Sequence, residues 1–176
     1  MDHYRNPRNR ASLDDPDVEA EEFNPFCGDR AILQLKLDGE GNVCGVSATA
    51  EGCSIIQAST SMLSDLLQGK PLEDAVELAA KFRKAMQNGS TDEDIELGDL
   101  RALQVVRQYP VRIKCALLPL TALEEGIKSY KEKPPNQRSN QALDQKLYSD
   151  KAVLGSNPFK SLLNTHREAV VTGLKR

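Results

Sequence analysis

Cys27, Cys53 and Cys115 are soft donors, and Asp29 stands two residues after the first of them. Cys27 lies in Asn24-Pro25-Phe26-Cys27-Gly28-Asp29, Cys53 in Glu51-Gly52-Cys53-Ser54, and Cys115 in Arg112-Ile113-Lys114-Cys115-Ala116. Three thiolates and one carboxylate make a four-ligand set that suits zinc or iron. Tetrahedral zinc fits it and needs no redox partner. A [2Fe–2S] cluster is the other reading, more labile with one carboxylate than with four cysteines. Structural zinc sites usually draw on tight pairs such as CxxC. Here only a finished fold can gather the ligands, which points to a site that works rather than one that staples.

The neighbours of each donor bear on its chemistry. Pro25 and Gly28 bracket Cys27, so its loop can present the thiol to solvent; the plainer alternative is a small apolar residue in a turn. Cys53 precedes a helical pattern that opens near Ser54, where free N–H groups and the helix dipole lower a thiol pKa. Cys115 is expected just ahead of a helix from residue 116, with Arg112 and Lys114 as nearby positive charges that offset the negative ligand set. For Cys53 or Cys115 taken alone, a buried free cysteine is the rival reading. Cys44, beside Gly45 in a strand pattern, reads as packing or as a half-exposed strand residue. His3 and His166 lie near the chain ends and no histidine adjoins Cys115. The expected ligand set is therefore Cys27, Asp29, Cys53 and Cys115.

Such a set has to be positioned by a fold. A short strand is expected over Val18–Phe23, followed by a loop from Asn24 to Asp29. Ala31, Leu33, Leu35 and Leu37 alternate with polar residues, the period of a half-buried strand. Asp38-Gly39-Glu40-Gly41-Asn42 is turn chemistry, and Val43–Ala50 reads as the next strand of an antiparallel meander. Ile55, Ser59, Met62, Leu63, Leu66 and Leu67 then recur at helical steps, stopped by Gly69. Residues 72–87 repeat the pattern after Pro71. Residues 90–99 read as a loop or a single helical turn, Asp99 as the cap of a short helix through Val106, and 116–130 as a helix with Pro119 in its first turn. The fold class is α+β: a small three-stranded antiparallel sheet packed with helices, plus a C-terminal tail.

The 176 residues support one domain with a real core, and 39% apolar and 28% charged content read as globular. No apolar run approaches the roughly 18 residues of a membrane span, and the start carries no apolar signal segment. A cytoplasmic setting is therefore expected, where cysteines serve metals or catalysis more than disulfides. Residues 131–176 carry nine Lys+Arg against four Asp+Glu, and the remainder 14 against 22. An acidic body with few aromatics argues against nucleic-acid binding. The expected division is a domain over 1–130 and a basic, flexible extension over 131–176, with a possible helix at 158–173.

The three cysteine motifs, with Gly52-Cys53-Ser54-Ile55-Ile56-Gln57-Ala58-Ser59-Thr60-Ser61-Met62 and the opening Asp2-His3-Tyr4-Arg5-Asn6-Pro7-Arg8-Asn9, resemble the U-type iron–sulfur cluster assembly proteins (IscU, SufU and the N-terminal part of NifU). The resemblance covers residues 2–130. Lys114 stands where the IscU branch has a histidine, and residues 88–106 resemble the insertion of the SufU branch. The resemblance implies the SufE/NifU-like α+β fold and zinc ligands at Cys27, Asp29, Cys53 and Cys115. It makes Cys27 the acceptor of persulfide sulfur from a SufS-type cysteine desulfurase, and Arg112 a desulfurase contact. The alternative it carries is a scaffold that assembles a transient [2Fe–2S] cluster on the same residues and passes it to an apo-protein or downstream scaffold. It offers no counterpart for residues 131–176, and at the N-terminus it implies either a clipped first helix or a start other than Met1.

Overall fold

The structure is a computed structural model that describes residues 1–89 and 92–134, which belong to one compact unit. In chain order it contains α1 (Asp2–Arg5), β1 (Val18–Asn24), β2 (Asp29–Leu37), β3 (Val43–Glu51), α2 (Ser54–Leu67), α3 (Leu72–Asn88), 3₁₀ turns over Asp92–Gln108 and α4 (Pro110–Glu132). The strands form an antiparallel sheet in the order β1-β2-β3. The expected extension from residue 135 onward, with the helix at 158–173, lies outside the described residues.

The period of two in β2 fixes which side chains face inward. Ala31, Leu33 and Leu35 are buried, while Arg30, Ile32 and Gln34 are half-buried between them. Asp29, at the start of the strand, falls on the same buried face. A carboxylate is thus carried to the edge of the core by the alternation that buries the leucines. Asn24 pairs with Asp29 across the β1–β2 hairpin, and Arg30 pairs with Glu51 across β2–β3. The register therefore brings the Cys27 loop and the chain entering Cys53 to one end of the sheet.

α2 and α4 pack against this sheet and against each other. Leu33, Leu35, Val46, Leu63, Leu67, Leu120 and Leu123 belong to the main buried cluster, which α3 extends through Leu78, Phe82 and Met86. Burying side chains of this size contributes about 1.5–3 kcal/mol each. α4 approaches β1 closely because Gly126 lacks a side chain: a Cβ there would lie 2.9 Å from the Ala20 Cβ and 3.0 Å from the Val18 Cγ1.

Two expectations change. Residues 92–108 form 3₁₀ turns broken at Gly98 (φ 49°, ψ −133°), in place of the expected loop or single helical turn followed by a short capped helix. A Cβ at Gly98 would meet the Leu66 side chain at 2.8 Å, so the break is also a close approach to α2. The last helix begins at Pro110, with Tyr109 at its N-cap, rather than at residue 116. Pro110 takes the first helical position, where its missing N–H is harmless. Pro119 therefore lies inside α4 rather than in its first turn, and it offers no N–H to the carbonyl of Cys115 four residues back.

The N-terminal segment is fastened to α2. The buried His3 places Nδ1 2.9 Å from Ser61 Oγ and Nε2 3.0 Å from the Asp99 carboxylate. Arg8 N–H donates to Ser61 Oγ at 2.9 Å, and the Asn9 amide donates to Ser64 Oγ at 3.0 Å. Ser61 and Ser64 of α2 are buried where the N-terminal segment covers them.

Candidate metal centre

Each donor reaches the site by a different local device. Cys27 sits in the β1–β2 turn. There the Asn24 side-chain oxygen accepts from the Phe26 N–H at 3.1 Å and the Asn24 carbonyl from the Gly28 N–H at 2.9 Å. Gly28 turns the chain with φ +73°, a left-handed value that suits glycine. Cys53 is the N-cap of α2, as its sequence position suggests. Cys115 lies on the sixth residue of α4 rather than ahead of it, so the helix-terminus argument for its ionisation does not apply.

The fold brings Cys27 Sγ, a carboxylate oxygen of Asp29 and Cys115 Sγ within 4.8 Å of one another. Cys53 joins through Asp29: its N–H donates to Asp29 Oδ1 at 3.1 Å, and its thiol donates to Oδ2 at 3.7 Å. Cys53 is not part of the mutual set of three. Arg112 is exposed on the first turn of α4, outside the cluster. Cys44 is exposed on β3, with its thiol 3.5 Å from the Lys36 carbonyl.

Accessibility grades the sulfurs. Cys27 is exposed, Cys53 intermediate, and Cys115 only 1% exposed. Cys115 is buried with Ala31 and Ile56, and Ile55 and Leu118 pack against that group. Burial pushes the Cys115 thiol well up, and the Asp29 carboxylate and Cys53 push it further. Burial also raises the Asp29 carboxyl, but hydrogen bonds from Cys115, from Cys27 and from the Cys53 backbone and thiol outweigh it and hold that carboxyl below its ordinary range. The hydrogen bonds that lower the Asp29 carboxyl thus come from the cysteines. A buried carboxylate among three sulfurs is the donor chemistry of a soft or borderline cation, and a cation there reverses the tendency of the thiols to stay protonated. The residues fit zinc.

Three features that the motif reading left without a role shape this site. Gly52 (φ +131°) lies against Asp29: a Cβ there would fall 2.1 Å from Oδ1 and 2.8 Å from Cγ. The Gln57 amide donates to the Gly52 carbonyl at 2.8 Å, fixing the turn that presents Cys53. Ser59 Oγ donates to the Ala116 carbonyl at 2.7 Å, tying α2 to α4 beside Cys115. Gly52 had a signal in the sequence, since a glycine directly before a candidate ligand often marks a close backbone approach. Ser59 had none, because its partner lies on another helix. Gly52→Ala is expected to displace the Asp29 carboxyl, costing about 1–3 kcal/mol of stability from the backbone strain alone. Zinc retention should fall about tenfold, as for loss of a supporting group around a metal. Thermal unfolding and chelator competition read both, and unchanged retention with an unchanged midpoint would contradict the role given to Gly52.

Residues 1–137 match the family described as NifU-like N terminal domain. The chain belongs to this family. It is 46% identical over 127 residues to the zinc-dependent sulfurtransferase SufU of Bacillus subtilis (strain 168), spanning 72% of this chain and 85% of the relative. It is 38% identical over 128 residues to the iron–sulfur cluster assembly scaffold protein IscU of Streptococcus pyogenes serotype M1, spanning 72% and 79%. Among solved structures, a candidate iron–sulfur cluster assembly scaffold protein for the SUF system from Fervidobacterium islandicum AW-1 matches with a TM-score of 0.67 at 29% identity, over 72% of this chain and 92% of that one. The three-stranded antiparallel sheet packed with helices is the fold of this NifU-like family. Among the described residues no helix is long and apolar enough to cross a membrane.

Proposed function

We propose that this chain is a zinc-dependent acceptor of persulfide sulfur in iron–sulfur cluster assembly, taking the sulfur from a SufS-type cysteine desulfurase. The observation that carries the reading is the grading of the sulfurs: an exposed Cys27 beside a buried Asp29 and a buried Cys115. The likeness to a zinc-dependent sulfurtransferase supports it. Cys27, Asp29, Cys53 and Cys115 are the proposed zinc ligands. Bound zinc would keep these sulfurs as thiolates and shield them from stray oxidation.

Cys27 is the sulfur a partner can reach. Its thiolate attacks the outer sulfur of the desulfurase persulfide; the S–S bond breaks, the desulfurase cysteine leaves as a thiolate, and the persulfide now stands on Cys27. Cys115, buried and held by α4, stays behind. Arg112, exposed one helical turn before Cys115, is placed to meet the desulfurase or to offset charge at the site. The sulfur then passes to a downstream scaffold or apo-protein. A cytoplasmic setting, which keeps thiols reduced, goes with this reading. The proposed ligands all lie within residues 1–130, the span assigned here to the assembly domain.

The experiment is to incubate the full chain with desulfurase and cysteine and to measure cyanide-labile sulfur on the chain. Sulfur on the zinc-loaded protein supports the relay. No sulfur there, with an iron-bearing cluster that forms anaerobically and transfers to an acceptor, supports the scaffold reading, for which the IscU relatives speak.

A further inference from the structure

Phe26 directly precedes Cys27 and Lys114 directly precedes Cys115, and the two meet across the site. Lys114 Nζ stands 5.2 Å from the centroid of the Phe26 ring, within the range of an attractive cation–ring contact. The ring is 88% exposed, so apolar burial does little to hold it. The loop is fastened at its base by the two hydrogen bonds to Asn24. Its tip, with Phe26 and Cys27, is open to solvent, and a Cβ at Gly28 would meet nothing within 4 Å.

We propose that Phe26 and Lys114 form a clasp that holds the Cys27 loop against α4 and sets how often the Cys27 sulfur leaves a bound metal. The proposal rests on the zinc reading above. Cys115 cannot move far, because it is buried inside a helix that Ser59 ties to α2. The exchangeable sulfur is therefore the one on the loop, and, besides the hydrogen bonds that Cys27 and Cys115 both make to Asp29, the loop meets α4 through these two side chains. Both are positioning residues: neither touches the reacting sulfur in this account. An exposed contact of this kind shifts an equilibrium by about two- to fivefold. That is enough to tune exchange at Cys27 without locking it.

The test follows alkylation of Cys27 by iodoacetamide in the zinc-loaded full chain, read by peptide mass spectrometry. Cys44, exposed and outside the cluster, is the internal reference. Phe26→Leu and Lys114→Met should each speed alkylation of Cys27 about two- to fivefold relative to Cys44. The double variant should react no faster than either single one, and Phe26→Tyr and Lys114→Arg should stay near the wild-type rate. Multiplying effects in the double variant would overturn the clasp, since Lys114 would then act as a charge independent of the ring. Conservative variants as fast as the disruptive ones would overturn it too. Zinc content of the wild type is measured first: absent zinc removes both this proposal and the zinc reading, whereas bound zinc with independent effects removes the clasp alone.

Discussion

Cys27→Ser is expected to carry no cyanide-labile sulfur after incubation with desulfurase and cysteine, while the wild type is labelled. A hydroxyl oxygen cannot take up sulfane sulfur as a persulfide, and at neutral pH it is no nucleophile without an activating base. Serine is close in size to cysteine, and Cys27 is exposed, so the fold should survive. Cys44→Ser is the companion variant. Cys44 is also exposed but lies on β3 outside the cluster, and its loss should leave the label in place. Full label on Cys27→Ser, or loss of label with Cys44→Ser, would remove Cys27 from the relay.

The second large effect belongs to Cys115→Ser. This substitution takes a sulfur from the buried end of the site and leaves a hydroxyl among Ala31, Ile56 and Leu118. Losing a supporting residue around a metal weakens affinity about 10- to 100-fold, and losing a ligand should exceed that. Because a bound ion stabilises only the folded chain, the variant should also unfold at lower temperature. A chelator should lower the midpoint of the wild type and leave that of the variant unchanged. Chelator competition on both proteins checks this, and wild-type zinc retention by the variant would exclude Cys115 as a ligand.

Much of this was legible in the sequence, for physical reasons that differ between elements. β2 was plain because a one-sided strand must alternate, and the same alternation carries Asp29 inward two positions before Ala31. α2 was plain because its apolar residues recur at helical steps from Ile55 to Leu67 and the helix opens directly after Cys53. The start of α4 is earlier than residue 116, and it was not legible because Val111, Arg112 and Lys114 are exposed and show no buried stripe to mark its first turns. Pro110 opens the helix instead, and Cys115 becomes an interior helical residue with a thiol pushed up by burial. The 3₁₀ turns of 92–108 were illegible because the break at Gly98 depends on its approach to Leu66 of α2. For the site, the motifs offered four candidate donors, of which the fold gathers Cys27, Asp29 and Cys115 in one set with Cys53 against Asp29, but they did not show the features that aim them. Gly52 against Asp29, Ser59 against Ala116 and Lys114 over Phe26 are contacts between segments distant in the chain, and no local pattern records them.

The same limit explains the N-terminal segment. His3, near the chain end, is buried between Ser61 and Asp99, partners 58 and 96 positions away. Its role is to hold residues 2–9 over the serine-rich face of α2, which also carries Cys53 at its head. The site thus rests on a helix covered on its outer side by the start of the chain.

Zinc K-edge X-ray absorption on the full chain, purified without added metal, addresses the central claim most directly. The account predicts one zinc per chain with three sulfurs at about 2.3 Å and one oxygen at about 2.0–2.2 Å. Fewer than three sulfurs, or a fourth in place of the oxygen, would contradict the gathering of Cys27, Asp29, Cys53 and Cys115 around a single ion.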